Sequence, residues 1–134
     1  MPSIQYAHLC EYARIDQSGT VSIIGIFDTI HLAAVPTSFP FLHVITNLRG
    51  RRGERFQFFT RLSGPDGTVL QTAPPVEVVI HQEAGSASQI NGYLGIVFPG
   101  FGDYSVEFVI DGTAVHTIPF RVIPREQPHP QQPG

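Results

Sequence analysis

The sequence predicts an all-β protein, an immunoglobulin-like β-sandwich of seven to eight antiparallel strands. Three observations carry that reading. In residues 101–123, Tyr104, Val106, Phe108 and Ile110 alternate with Ser105, Glu107, Val109 and Asp111, the period of a strand with one face on a core. Asp111-Gly112 then offers a pair that tolerates positive φ in a tight hairpin, and Ile118, Phe120 and Val122 alternate on the return. Next, 13 Gly and 12 Pro fall between short apolar runs rather than in one block, the punctuation of strands and turns. Last, Gly102-Asp103-Tyr104 opens a late strand in the manner of a tyrosine corner, whose hydroxyl bonds back to nearby backbone.

Taken in order, residues 4–15 (IQYAHLCEYARI) are expected to be a strand, because a Ser18-Gly19 turn and the β-branched run 20–30 follow. These would pair as an N-terminal hairpin. Residues 35–40 (VPTSFP) read as a loop, Pro40 disfavouring helix before it. Residues 41–48 (FLHVITNL) read as a third strand. The segment 49–55 (RGRRGER) turns the chain into 56–62, where Phe56, Phe58, Thr60 and Leu62 share a face. Gly64-Pro65-Asp66-Gly67 is a strong β-turn signal. A strand begins at Thr68 and is interrupted by Pro74-Pro75; Val76, Val78 and Ile80 then alternate. Residues 83–89 are small and polar, a loop. Residues 90–98 form a strand in which Gly92 and Gly95 mark a bulge or close packing. A single domain over 1–123 is expected, followed by a flexible, proline-rich tail at 124–134.

Composition narrows the setting. With 42% hydrophobic residues a chain of this length can bury a normal core. A net charge of −3 gives no global pull toward nucleic acid or anionic membrane. All eight cations are arginine, for which we have no physical account. The lone Cys10 rules out an intramolecular disulfide and a cysteine-rich zinc site. His8, Glu11 and Arg14 interrupt the N-terminal stretch, unlike a signal peptide, and no apolar run approaches the ~20 residues of a membrane span. The expected compartment is the cytoplasm.

Two stretches carry a resemblance. Leu9-Cys10-Glu11-Tyr12-Ala13-Arg14 and Ser22-Ile23-Ile24-Gly25-Ile26-Phe27-Asp28, with Pro65-Asp66-Gly67 and Gly102-Asp103-Tyr104 downstream, resemble a family of uncharacterised bacterial proteins. Its members look like Leu-Cys-Asp-Tyr-Ala followed by Gly-Ile-Phe-Asp, a Pro-Asp-Gly turn and a closing Gly-x-Tyr strand. The resemblance implies an immunoglobulin-like sandwich and no catalytic residue.

Candidate sites are few. Cys10 would share a strand face with His8 and Tyr12, but residues two apart lie about 6.5–7 Å apart along a strand, too far for a direct Cys–His contact. Its expected role is packing. His8, His31, His43, His81, His116 and His129 show no ligand spacing, and no metal or other cofactor is expected. The sharpest local signal is Arg49, Arg51, Arg52 and Arg55, half of all cations within seven residues and opposed only by Glu54. That segment is a candidate partner-binding site for protein rather than nucleic acid, since a net-acidic chain is poorly suited to neutralising phosphates. Pro130 and Pro133 match a Pro-x-x-Pro pattern, which the tail's composition alone accounts for. No phosphate-binding glycine loop, nucleophile elbow or paired-carboxylate spacing is present, so the chain does not read as an enzyme.

One feature needs a covering partner. In residues 20–30 both faces are apolar, and 41–48 is similar, whereas a sandwich strand ordinarily shows one polar face to water. The loop 32–39, a second copy of the chain or another protein could cover the excess. The function this supports is a non-enzymatic cytosolic protein-interaction module, self-associating or binding another protein. The alternative is a small-ligand-binding or enzymatic sandwich whose site forms only in three dimensions.

Overall fold

Alternation along the chain becomes ten strands in two sheets, in a computed structural model that describes residues 2–81 and 85–126. They are β1 (Ser3–Ile15), β2 (Val21–Ile26), β3 (Thr29–Leu32), β4 (Thr37–Arg49), β5 (Arg55–Ser63), β6 (Val69–Thr72), β7 (Val76–Val79), β8 (Ser86–Phe98), β9 (Gly102–Ile110) and β10 (Thr113–Pro124). One sheet runs β2-β1-β4-β8. The other runs β3-β10-β9-β5-β6, with β7 pairing the same edge of β5 as β6. No helix among the described residues is long and apolar enough to cross a membrane.

The main core lies between the sheets. Leu9, Leu42, Val44, Leu48, Tyr93, Ile96 and Phe98 from the four-stranded sheet meet Phe56, Phe58, Leu62, Val78, Val106, Phe108, Phe120 and Val122 from the other. The predicted face of β5 is entirely buried, Thr60 included. The closing hairpin is as expected: Asp111 and Gly112 both have positive φ (48° and 80°), the requirement of a two-residue primed turn. Gly67 N–H bonds the Gly64 carbonyl at 3.0 Å, closing the Pro65-Asp66 turn. Tyr104 donates its hydroxyl to the Gly100 carbonyl at 2.6 Å while Gly100 N–H returns a 3.3 Å bond. Its ring packs edge-on against Phe98 and stacks on Phe120. Tyr104 thereby ties the β8–β9 turn to the core.

Four expectations need correction. The strand count is ten rather than seven or eight, and β3 pairs β10 in parallel, so the sheets are not wholly antiparallel. The run 20–30 is two strands in different sheets: Phe27 N–H still bonds Leu9 in the first, while the Asp28 carbonyl accepts Arg121 N–H in the second. The change of sheet brings Phe27 and Ile30, of opposite parity, both to the main core, whereas Ile24 and Ile26 stay exposed. Pro40 lies inside β4, opposite Gly95, at the one place where the β4–β8 ladder skips a pair. Phe39, before it in β4, and its partner Ile96 face the core, whereas Phe41, after it, and its partner Leu94 are exposed. Proline without an N–H, facing glycine at φ 58°, lets both strands change face together. Finally, residues 86–89 belong to β8, so only the start of the expected 83–89 loop remains, and 82–84 lie outside the described residues. Of the expected tail, Pro124 ends β10 and Arg125 N–H bonds the Leu32 carbonyl; residues 127–134, with His129 and the Pro-x-x-Pro match, also lie outside the described residues.

Candidate functional site: a folded-back hairpin and an apolar stripe

The outer face of the four-stranded sheet carries the excess apolar surface, and the chain covers part of it itself. The last β1–β4 pair is Cys10–His43, after which β1 leaves the ladder. Within the β1–β2 hairpin, pairing holds at Cys10–Ile26 and Tyr12–Ile24 but is skipped at Glu11 and Gly25. Gly25 has φ 71°, and a Cβ there would sit 2.7 Å from the Glu11 side chain. Only glycine suits both the conformation and the space. Beyond this bend the distal half of the hairpin lies over the outer face. Ala13, Val21 and Ile23 pack with Cys10, Ile45 and Ile90 in a second apolar cluster separate from the main core. β1 reaches β8, although β4 stands between them in the sheet.

His43 anchors the fold-back. Its Nδ1 accepts the Ala13 N–H at 3.1 Å, so an imidazole takes over where the backbone ladder ends. Accepting there leaves the proton of the neutral ring on Nε2. The ring lies against Gly92, its cross-strand partner, and between Tyr12 and Phe41, with centroid separations of 5.6 and 5.3 Å. The Cys10 thiol is buried, bonds the His43 carbonyl at 3.7 Å and is pushed above the ordinary thiol range by burial. A desolvated thiol with a carbonyl partner is a packing group, not an activated nucleophile.

What the hairpin leaves open is a continuous stripe. Ile24 (58% exposed), Tyr12 (45%), Phe41 (43%) and Leu94 (70%) follow one another across the surface, with Ile26 (59%) beside them. Tyr12 pairs with Ile24, Phe41 pairs with Leu94, and the His43 ring bridges the two pairs. None of these side chains carries a formal charge.

The arginines predicted to bind a partner lie elsewhere, at the β4–β5 turn. Arg49 donates Nε to Gln5 at 2.7 Å, and Arg55 is paired with Glu77 at 3.0 Å. Glu54 accepts the Arg51 N–H at 2.9 Å and holds the turn. The side chains of Arg51 and Arg52 are exposed and have no partner among the described residues. Among the described residues, therefore, two of the four guanidinium groups are tethered and two have no partner.

The described histidines do not converge: no group of three or more His, Cys, Asp or Glu suited to a metal ion occurs among the described residues. Two features escaped the sequence reading. One is the chain of bonds in the core, where Thr60 Oγ1 donates to Asn91 Oδ1 at 3.0 Å and lies 2.5 Å from the Tyr93 hydroxyl. With its single proton given to Asn91, Thr60 must accept from Tyr93. The other is a hollow of about 270 Å³ lined by Glu11, His31 and Arg125 with Phe27, Ile30 and Phe39. It joins residues from β1, β3 and the end of β10, a conjunction that spacing along the chain does not reveal.

Residues 5–123 match the model of a family of unknown function, DUF6941. The chain belongs to that family. The resemblance drawn from the sequence holds at this level. No curated protein matches. Among solved structures, a crystal structure of beta-glucosidase from Listeria innocua in complex with isofagomine is similar, with a TM-score of 0.52 over 88% of this chain. Identity is 8%, and the match spans 16% of that enzyme's chain. Such a likeness concerns the fold alone.

Proposed function

We propose that this member of the family is a non-enzymatic, cytosolic protein-binding module that docks partners on the outer face of its four-stranded sheet. The uncharged stripe of Ile24, Tyr12, Phe41 and Leu94 carries the reading. Side chains exposed to 43–70% leave several hundred Å² of apolar surface open, on the order of the largest patch a monomer shows, and such patches mark interaction sites. Uncharged aromatic groups at the centre suit the buried middle of an interface. Arg51 and Arg52 lie off this stripe and would serve as a separate contact for acidic groups.

The architecture we assign is an immunoglobulin-like sandwich. Two packed sheets and the Tyr104–Gly100 bond support it. We also take Cys10-Glu11-Tyr12-Ala13 and Gly25-Ile26-Phe27-Asp28 as the family's signature, because the two stretches face one another at the bend that builds the stripe. A lone buried thiol suits a reducing compartment.

The test is affinity capture of tagged wild-type protein and of Ile24→Lys and Leu94→Lys variants from nuclease-treated host lysate. A stoichiometric partner held by wild type and lost from both variants is the expected result. A partner held equally by the folded variants would remove the stripe from the function. A second reading, a small-ligand site, rests on the hollow at Glu11, His31 and Arg125. Thermal stabilisation by a small carboxylate or amine, abolished in Arg125→Ala or Glu11→Gln, would favour it.

A further inference from the structure

We infer that the chain forms a two-fold homodimer in which β8 pairs antiparallel with β8 of a second copy, joining the two four-stranded sheets into one of eight strands. The inference goes beyond the protein-binding reading above: it adds a second contact, on the edge of the same sheet rather than on the stripe.

Exposed strand edges recruit other strands, and proteins guard them with charge, proline or brevity. The edges of the larger sheet follow that rule: β3, β6 and β7 are four residues each. β8 is an edge of 13 residues with neither a charged residue nor a proline. Among the described residues its backbone pairs with other backbone only on the β4 side. The direction of its free groups follows from one bond: the Leu94 carbonyl accepts from the Gln71 side chain of β6 at 3.0 Å, so it points away from β4. In an antiparallel strand a residue's N–H and C=O point the same way and alternate along the chain. Gly92, Ile90 and Ser88 therefore turn theirs outward too.

The occupant follows from charge and symmetry. Antiparallel pairing of a strand with itself generates a two-fold axis and sets each residue against its own kind or a near neighbour. A charged residue near the centre would then meet its like; β8 has none. With Leu94 engaged by Gln71, the natural centre is Ile90, with Ser88 facing Gly92 of the partner. That register makes about six backbone hydrogen bonds. Among the described residues, the start of the edge borders open space. A hollow of about 600 Å³ lies between the start of β8, β7 and the hairpin tip, with Ser18, Glu77, His81 and Gln89 among its lining residues.

The experiment measures mass by analytical ultracentrifugation over a dilution series for wild type, Gly92→Pro and Ile24→Lys, with folding checked by circular dichroism. Gly92→Pro deletes an outward N–H and replaces none of the stripe's own side chains. Wild type and Ile24→Lys are expected to be dimers, and Gly92→Pro a monomer. A wild type that is monomeric throughout overturns the dimer but leaves the docking stripe to its own capture test. A dimer lost in Ile24→Lys and kept in Gly92→Pro moves the contact to the stripe and overturns edge pairing. Should Gly92→Pro fail to fold, amide exchange of wild type decides. Protection of Ser88, Ile90 and Gly92 that disappears on dilution supports the pairing, and fast exchange at every concentration refutes it.

Discussion

The direction of the buried hydroxyl chain can be tested by removing its members singly and together. Tyr93 is buried and its hydroxyl donates to Thr60, which donates to Asn91. Tyr93→Phe removes the first donor but leaves Thr60 bonded to Asn91, so it should cost about 1 kcal/mol, the worth of one hydrogen bond. Thr60→Val is nearly isosteric but strands the Tyr93 hydroxyl in the core. An orphaned buried hydroxyl costs about 1–3 kcal/mol in addition to the lost bonds. Asn91 is only half-buried and can turn to water. Adding Tyr93→Phe to Thr60→Val removes the orphan, so the double variant should be more stable than Thr60→Val by about 1 kcal/mol or more. Urea unfolding with a common m-value supplies the comparison, and the melting temperature should recover by about 4 °C per kcal/mol. A double variant as destabilised as the sum of the singles would refute the proposed order of donation.

Three further outcomes are expected. Tyr104→Phe leaves the Gly100 carbonyl without its 2.6 Å donor and should lower stability by about 1–2 kcal/mol in the same assay, with the fold retained. The Arg61 guanidinium, 3.1 Å from Glu107, and the Ser63 hydroxyl hold the Glu107 carboxyl below its usual range. Its stabilisation is therefore present above the unfolded carboxyl value of about 4.3 and is lost as pH falls through the folded one; Glu107→Gln should flatten that acid limb of the urea midpoint against pH. Gly25→Val forces a β-branched residue to φ 71° against Glu11, a strain of about 1–3 kcal/mol. It should lift the hairpin, so that Cys10 is alkylated at urea concentrations where the rest of the fold, followed by circular dichroism, persists. In wild type, alkylation of Cys10 should track global unfolding.

Much of the fold was legible because it rests on local rules. Period-two alternation placed β5, β9 and β10, and Asp111-Gly112 and Pro65-Asp66-Gly67 placed turns, since each depends on the backbone preferences of a few adjacent residues. The bond from the Tyr104 hydroxyl back to nearby backbone was legible for the same reason: it spans four residues. The excess of apolar side chains in 20–30 and 41–48 was also visible in the chain alone, as was the need for something to cover it. What covers it was not. Local pattern does not say that 20–30 divides between two sheets, that Pro40 meets Gly95, or that the β1–β2 hairpin bends at Glu11 and Gly25 to bury Cys10 and Ile45. Each depends on pairing between residues far apart in sequence. Alternation determines which side chains share a face of a strand; only the assembled sheets decide which faces meet the core, which meet the chain's own hairpin, and which stay open to another molecule.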